Sequence, residues 1–160
     1  MEIIHLRSLP LSLPSARPSF EGMASDTYAA QLLRTYAHND TAVPLAVSAD
    51  GNCFFNSLSV ALTGSDDLAL QLRLCCAIYV LLHTESLSDD QYTDNKLTPS
   101  LADDLKAICQ EGGWSSFRAF VAAVEVVQCP IDLVYLPVNG PNDKVCGMMN
   151  KTITPSVATS

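Results

Sequence analysis

The segment Ser48-Ala49-Asp50-Gly51-Asn52-Cys53-Phe54-Phe55-Asn56-Ser57-Leu58 holds the residues of this chain best suited to covalent chemistry. Asp50-Gly51-Asn52 is a strong turn signal. Behind it Phe55, Leu58 and Leu62 recur at helical spacing, with Gly64 as the stop. A helix is therefore expected to begin at about Cys53. A thiol in the first turn of a helix sits beside backbone N–H groups that lack intrahelical partners, at the positive end of the macrodipole, and both favour the thiolate. The tight turn can aim further amides at the same point, as an oxyanion hole for acyl transfer requires. Gly51 lets the backbone approach a substrate closely. A buried cysteine after an ordinary turn produces the same pattern, and spacing alone leaves the two readings level.

A thiolate that turns over substrate needs a base to take and return the proton. The chain has three histidines, His5, His38 and His83. His5 lies in a proline-rich stretch, while His38 and His83 fall at expected helix ends, where a histidine usually partners the dipole. No histidine follows His83, so none is a convincing base. Other polar clusters have plainer readings. Asp89, Asp90 and Asp94 lack the glycine and terminal glutamate of an EF-hand and read as a solvated loop. Asp103-Asp104 is expected on an exposed helix face, and Trp114 is expected as a core anchor.

The six cysteines (Cys53, Cys75, Cys76, Cys109, Cys129 and Cys146) form no C-x-x-C pair, and no histidine stands at zinc-finger spacing. Most read as small buried hydrophobes in a reducing compartment, with Cys75, Cys76 and Cys109 on apolar helix faces. No metal or cofactor is implied. The N-terminus lacks the basic start and unbroken apolar run of a signal peptide, and no stretch approaches a membrane span, so cytoplasm or nucleus is expected. With 17 acidic against 9 basic residues, a net charge of -8, nucleic acid is an improbable partner.

The 160 residues suit one domain, and 48% hydrophobic content allows a packed core. Residues 1–22, with Pro10, Pro14 and Pro18 among serines, read as a disordered tail, and 23–155 as the domain. The expected elements are a helix from Ser25 to about Ala37, capped by Ser25 or Asp26, and the helix from Cys53. A third helix, capped by Ser65-Asp66-Asp67, carries the stripe Leu68, Leu72, Cys75, Cys76, Tyr79 and Leu82 and ends near His83. A fourth is expected after Thr98-Pro99 with Leu101, Leu105, Ile108 and Cys109 inward. A fifth is capped by Ser115, with Phe117, Phe120, Val121 and Val124 on one face. Ile131–Leu136 reads as a buried strand and Val145–Met149 as a second. Helices first and strands last give an α+β class, a helical layer on a small sheet.

Asp50-Gly51-Asn52-Cys53, followed by aromatics and a helix, resembles the nucleophile motif of the OTU (ovarian tumour) family of papain-like cysteine proteases. Gly113-Trp114 and Cys129-Pro130-Ile131-Asp132-Leu133-Val134-Tyr135 resemble that family's Trp-Gly segment and following core strand, with Ser115 where a glycine is usual. The helix around Arg73 also has its counterpart there. The spacing further resembles vertnin-type and transposon-associated OTU-like segments, to which Asn150-Lys151-Thr152 before Pro155 adds. The resemblance implies a deubiquitinase-like fold in which Cys53 attacks an isopeptide carbonyl. It implies that Asp50 shapes an oxyanion loop, Asp50-Gly51-Asn52-Cys53, and that ubiquitin or a ubiquitin-like protein is the substrate. In that family the histidine lies on a strand after the equivalent of Ile131–Tyr135, and Leu136–Ser160 of this chain contains no histidine. Two expectations stand: a domain cut short of its histidine strand, or a pseudoenzyme that keeps the fold as an interaction module.

Overall fold

The computed structural model describes residues 11, 17–37, 43–88, 99–135, 146 and 149–156. Helix α1, Thr27–Leu32, starts where expected because the Asp26 carboxylate accepts from the Ala29 amide at 2.9 Å. It continues as a wider π-type turn over Leu33–Ala37. The residues before α1 pair antiparallel with the extended run around Leu45: the Asp26 amide donates to the Pro44 carbonyl and the Ala46 amide to that of Ala24.

Helix α2, Cys53–Thr63, begins and ends at the residues read from the sequence, with Gly64 in the left-handed region as its stop. Helix α3, Ala69–Leu82, has no side-chain cap. The expected Ser65-Asp66-Asp67 cap forms the preceding turn instead, in which the Ser65 hydroxyl donates to Asp67 at 2.7 Å. The fully buried Ser59 hydroxyl stitches this turn to α2, accepting from the Leu68 amide and donating to the Ser65 carbonyl.

Helices α4, Leu101–Cys109, and α5, Phe117–Val127, start one or two residues later than expected. Ser100 caps α4 through the Asp103 amide, and Ser116 caps α5 through the Arg118 amide. Strands β1, Ile131–Leu133, and β2, Lys151–Ile153, pair antiparallel with Ile131 opposite Ile153. The α+β order is thus observed. The first strand is shorter and less buried than expected, since Val134 is already 55% exposed. The second falls on Lys151–Ile153 rather than 145–149, of which 145, 147 and 148 lie outside the described residues.

The core is mainly interhelical. Helix α3 packs on α2, α4 and α5, burying Leu72, Cys76, Ala77 and Val80 with Phe55 and Ile108. The face that α5 turns inward is Ala119, Ala122, Ala123, Val124 and Val127, while Phe117, Phe120 and Val121 are only partly buried. The alanines let α5 approach α3 closely, and the bulkier side chains take the flank. Cys75 and Cys76 are buried as expected, and burial pushes both thiols above their ordinary pKa. Cys109, expected inward, is exposed because it lies in the last turn of α4.

Asp104 overturns the expectation of an exposed acidic face. It is 1% exposed, and its carboxylate pairs with Arg118 on α5 at 2.6 Å. Arg118 is fully buried and also donates to the carbonyls of Leu87 and Pro99. One guanidinium therefore joins α4, α5 and the turn after α3. Removing one partner of such a pair strands a buried charge and costs roughly 3–5 kcal/mol. Asp104→Ala is expected to lower unfolding free energy by that order in urea melts, whereas Asp103→Ala, which loses a capping contact at an exposed site, costs about 1 kcal/mol or less.

Candidate active-site loop

Cys53 is the first residue of α2 and is half-buried. The turn before it is held from two sides. On the local side, the Asp50 carboxylate accepts from the Asn52 amide at 2.8 Å and from the Asn56 side chain at 3.2 Å. This Asx-type turn folds the loop back over the start of α2. The hydrogen bond from the Asn52 amide, with smaller contributions from Asn52, Asp50 and Asn56, holds the Asp50 carboxyl below its ordinary pKa.

On the distant side stands Arg73 of α3, only 4% exposed. Its Nη2 donates to Asn52 Oδ1 at 2.8 Å, to the Gly113 carbonyl at 3.0 Å and, more weakly, to the Gly51 carbonyl at 3.4 Å. Its Nη1 donates to the carbonyls of Ala107, Ile108 and Gln110 at 2.9–3.2 Å. The guanidinium carbon also lies 4.6 Å from the ring centroid of Phe55, two residues past the thiol. Burial lowers the Arg73 pKa, while the nearby Asp50 and Glu111 carboxylates and the thiols of Cys76 and Cys53 pull it back up.

Asn52 stands at the N-cap position of α2 but makes no side-chain cap. Its Oδ1 is occupied by Arg73 and by the Gly112 amide at 2.9 Å. The first amides of α2 are consequently left without a side-chain cap from Asn52. Of the four residues expected to form the oxyanion loop, Asn52 spends its amide on Asp50. The amides of Gly51 and Cys53 carry no hydrogen bond among the described residues.

The loop and the end of α4 meet backbone to backbone. Gly51 has φ +82°, and a Cβ there would lie 2.1 Å from the Gly112 carbonyl oxygen. A Cβ at Gly113 would come equally close to the Ala107 carbonyl oxygen. Only glycine fits either contact. Trp114 follows directly and is 80% exposed, against the expectation of a core anchor. The Gly112-Gly113 turn is committed to Arg73 and Gly51, which leaves the indole presented to solvent beside the loop.

The histidines are not brought to this loop among the described residues. His5 and His38 lie outside them. His83 caps α3 at its C-terminus, exposed and stacked on Tyr79 with ring centroids 4.2 Å apart. It stands ten positions along α3 from Arg73, about 15 Å at the helical rise per residue, too far to serve a thiol at the Arg73 end. The sequence signal for Arg73 was a lone charge within an otherwise apolar helix, ALQLRLCCAIYVLL, which must find partners. Nothing local announced that Gly113 and the carbonyls at the end of α4 would be among those partners.

Residues 44–101 match the family model described as the OTU domain of vertnin. That stretch includes the Cys53 loop, α2 and α3. The Trp-Gly segment and the strands lie beyond it. Among solved structures, the OTU domain of OTUD1 is similar at 19% identity and a TM-score of 0.43, over 53% of this chain and 53% of that one. The chain thus spans about half the length of that structure. No curated protein matches the sequence.

Two outcomes follow for the loop. Arg73→Met leaves at least three buried or half-buried acceptors bare, each costing roughly 1–3 kcal/mol, so denaturant melts should show a loss of about 3 kcal/mol or more. Asp50 has a folded-state pKa below its ordinary 3.8, so its contribution is present above that pH and lost as pH falls through the folded value. Asp50→Asn should accordingly lower the melting temperature at pH 7 and change it less at pH 3.

Proposed function

We propose that this chain is an OTU-type thiol hydrolase domain of the deubiquitinase kind, with Cys53 as the nucleophile. The observation that carries the reading is the loop that Asp50, Asn52 and Arg73 hold ahead of α2. In that loop the amides of Gly51 and Cys53 carry no hydrogen bond among the described residues, and in this reading they serve as the oxyanion donors. The Cys53 thiolate adds to a peptide or isopeptide carbonyl carbon. The carbonyl oxygen takes the negative charge, which those amides stabilise, and the C–N bond then breaks as the amine takes up a proton. The product on the protein is a thioester at Cys53, which water hydrolyses.

The substrate class that fits is the extended C-terminal tail of ubiquitin or a ubiquitin-like protein. Trp114, exposed next to the Gly112-Gly113 turn that packs on Gly51, offers such a tail an apolar wall. Asp50 is a positioning residue in this scheme, since its carboxylate is committed to the loop's own amides rather than to the reacting atoms.

A second reading, a non-catalytic OTU-like interaction module, is favoured by one specific observation: no histidine stands near Cys53 among the described residues. Loss of the base from a nucleophile–base unit costs several orders of magnitude in rate. The two readings differ in what the thiol does with a substrate that needs no general base. Ubiquitin bearing a C-terminal thiol-reactive electrophile is expected to add once to the protein, read by intact mass, and not to add to Cys53→Ala. No adduct from folded protein that still binds ubiquitin would leave the interaction module. No adduct and no ubiquitin binding would sink both.

A further inference from the structure

A helix that is apolar all round is ordinarily covered all round, yet α3 is not. Its inner face carries Leu72, Cys76, Ala77 and Val80 into the core. Its outer face carries Leu70, Leu74 and Leu81, exposed by 69, 53 and 54%, with the exposed Leu82 and the half-buried Ile78 beside them. The spacing of Leu70, Leu74, Ile78 and Leu81 draws one straight stripe along about three turns. Gln71 is the one exposed polar residue of α3, and the one charge in the helix, Arg73, is turned inward. The stripe is therefore an uncharged strip on a protein of net charge -8.

Charge marks both of its ends. Asp66 and Asp67 are exposed just before α3, and Glu85 is exposed just after it. Two copies of this chain laid face to face would bring acid against acid at both ends, whether parallel or antiparallel. A membrane surface is no better suited, because an interfacial helix draws its electrostatic attraction to anionic lipid from flanking Lys and Arg. An apolar stripe ending in carboxylates is complementary instead to a helix with the same i, i+4, i+8, i+11 apolar spacing and basic residues at its two ends.

We propose that the outer face of α3 is a docking surface for such a helix on a partner protein, an amphipathic segment with Lys or Arg at each end. The surface is separate from the Cys53 loop, which meets α3 through the inward side chain of Arg73. Leu70, Leu74, Ile78 and Leu81 form the apolar seat, and Asp66, Asp67 and Glu85 set the partner's charge and register.

The test uses the full chain and two fluorescein-labelled synthetic helical peptides. Both carry leucine at that spacing, one with lysines and the other with glutamates at the ends, and binding is read by anisotropy. The lysine-ended peptide is expected to bind, and the glutamate-ended one at least about tenfold more weakly. Added salt should shrink that difference. Leu74→Glu, at an exposed position, should weaken the lysine-ended peptide by about tenfold with an unchanged circular dichroism spectrum. Leu81→Glu serves as the second variant if Leu74→Glu does not fold. No binding by folded protein overturns the proposal, as does equal binding of the two peptides or loss of folding in both variants. Sedimentation velocity showing a dimer that Leu74→Glu dissolves would assign the face to a second copy and overturn it as well.

Discussion

A buried cation is the constraint around which the rest is arranged. Taking a guanidinium out of water costs several kcal/mol even after relaxation, and the cost is recovered only where its donors are met. Arg73 meets them with six acceptors drawn from the Cys53 loop and from the end of α4. The planar fork suits this task, since one nitrogen can face the α4 carbonyls while the other faces Asn52 and Gly113. A lysine at this position would offer a single nitrogen to acceptors on two sides. Positioning of the thiol is thus a by-product of satisfying a charge that sits in the wall of the core.

Arg118 repeats the device at the other side of α3. There a carboxylate is present, and the carbonyls of Leu87 and Pro99 complete the shell. The two arginines divide the labour. Arg73 holds the loop ahead of Cys53, and Arg118 ties α4 and α5 to the turn after α3. Between them runs a thin apolar core in which α5 supplies three alanines. A core built from such small side chains has limited area to remove from water. Well-satisfied polar contacts then carry more of the specification of the fold than they would in a larger domain.

What could be read from the sequence follows the range of the interactions involved. The start of α2 at Cys53, its stop at Gly64, the Asp50 turn and the Asp26 cap all depend on neighbours within a few residues, and they stand where the residue types put them. Burial of Asp104 and exposure of Trp114 were misread because each is decided by a partner far along the chain. Asp104 is drawn inward by Arg118, and Trp114 is displaced outward by the engagement of Gly113 with Arg73. The α5 face was misassigned for a related reason. Hydrophobic size pointed to the phenylalanines, but proximity to α3 selected the alanines. The OTU resemblance rests on the local segment, which is why it could be seen in the residues and why it reaches no further than the local geometry warrants.

The ties that lock the loop also have an order in time. The contact from Asn52 to the Gly112 amide spans 60 positions, and those from Arg73 to the carbonyls at 107–113 span 34 to 40. Each closes a long loop of chain, and that entropy must be surrendered before the bond forms. The Asp50–Asn52 bond spans two positions and can form in a short nascent segment. During synthesis the turn ahead of Cys53 is therefore sketched early, in its Asx form, and set rigidly only after Gly113 has left the ribosome. Until then Cys53 belongs to a flexible turn, and the fixed geometry around it is one of the last features that the folding chain acquires.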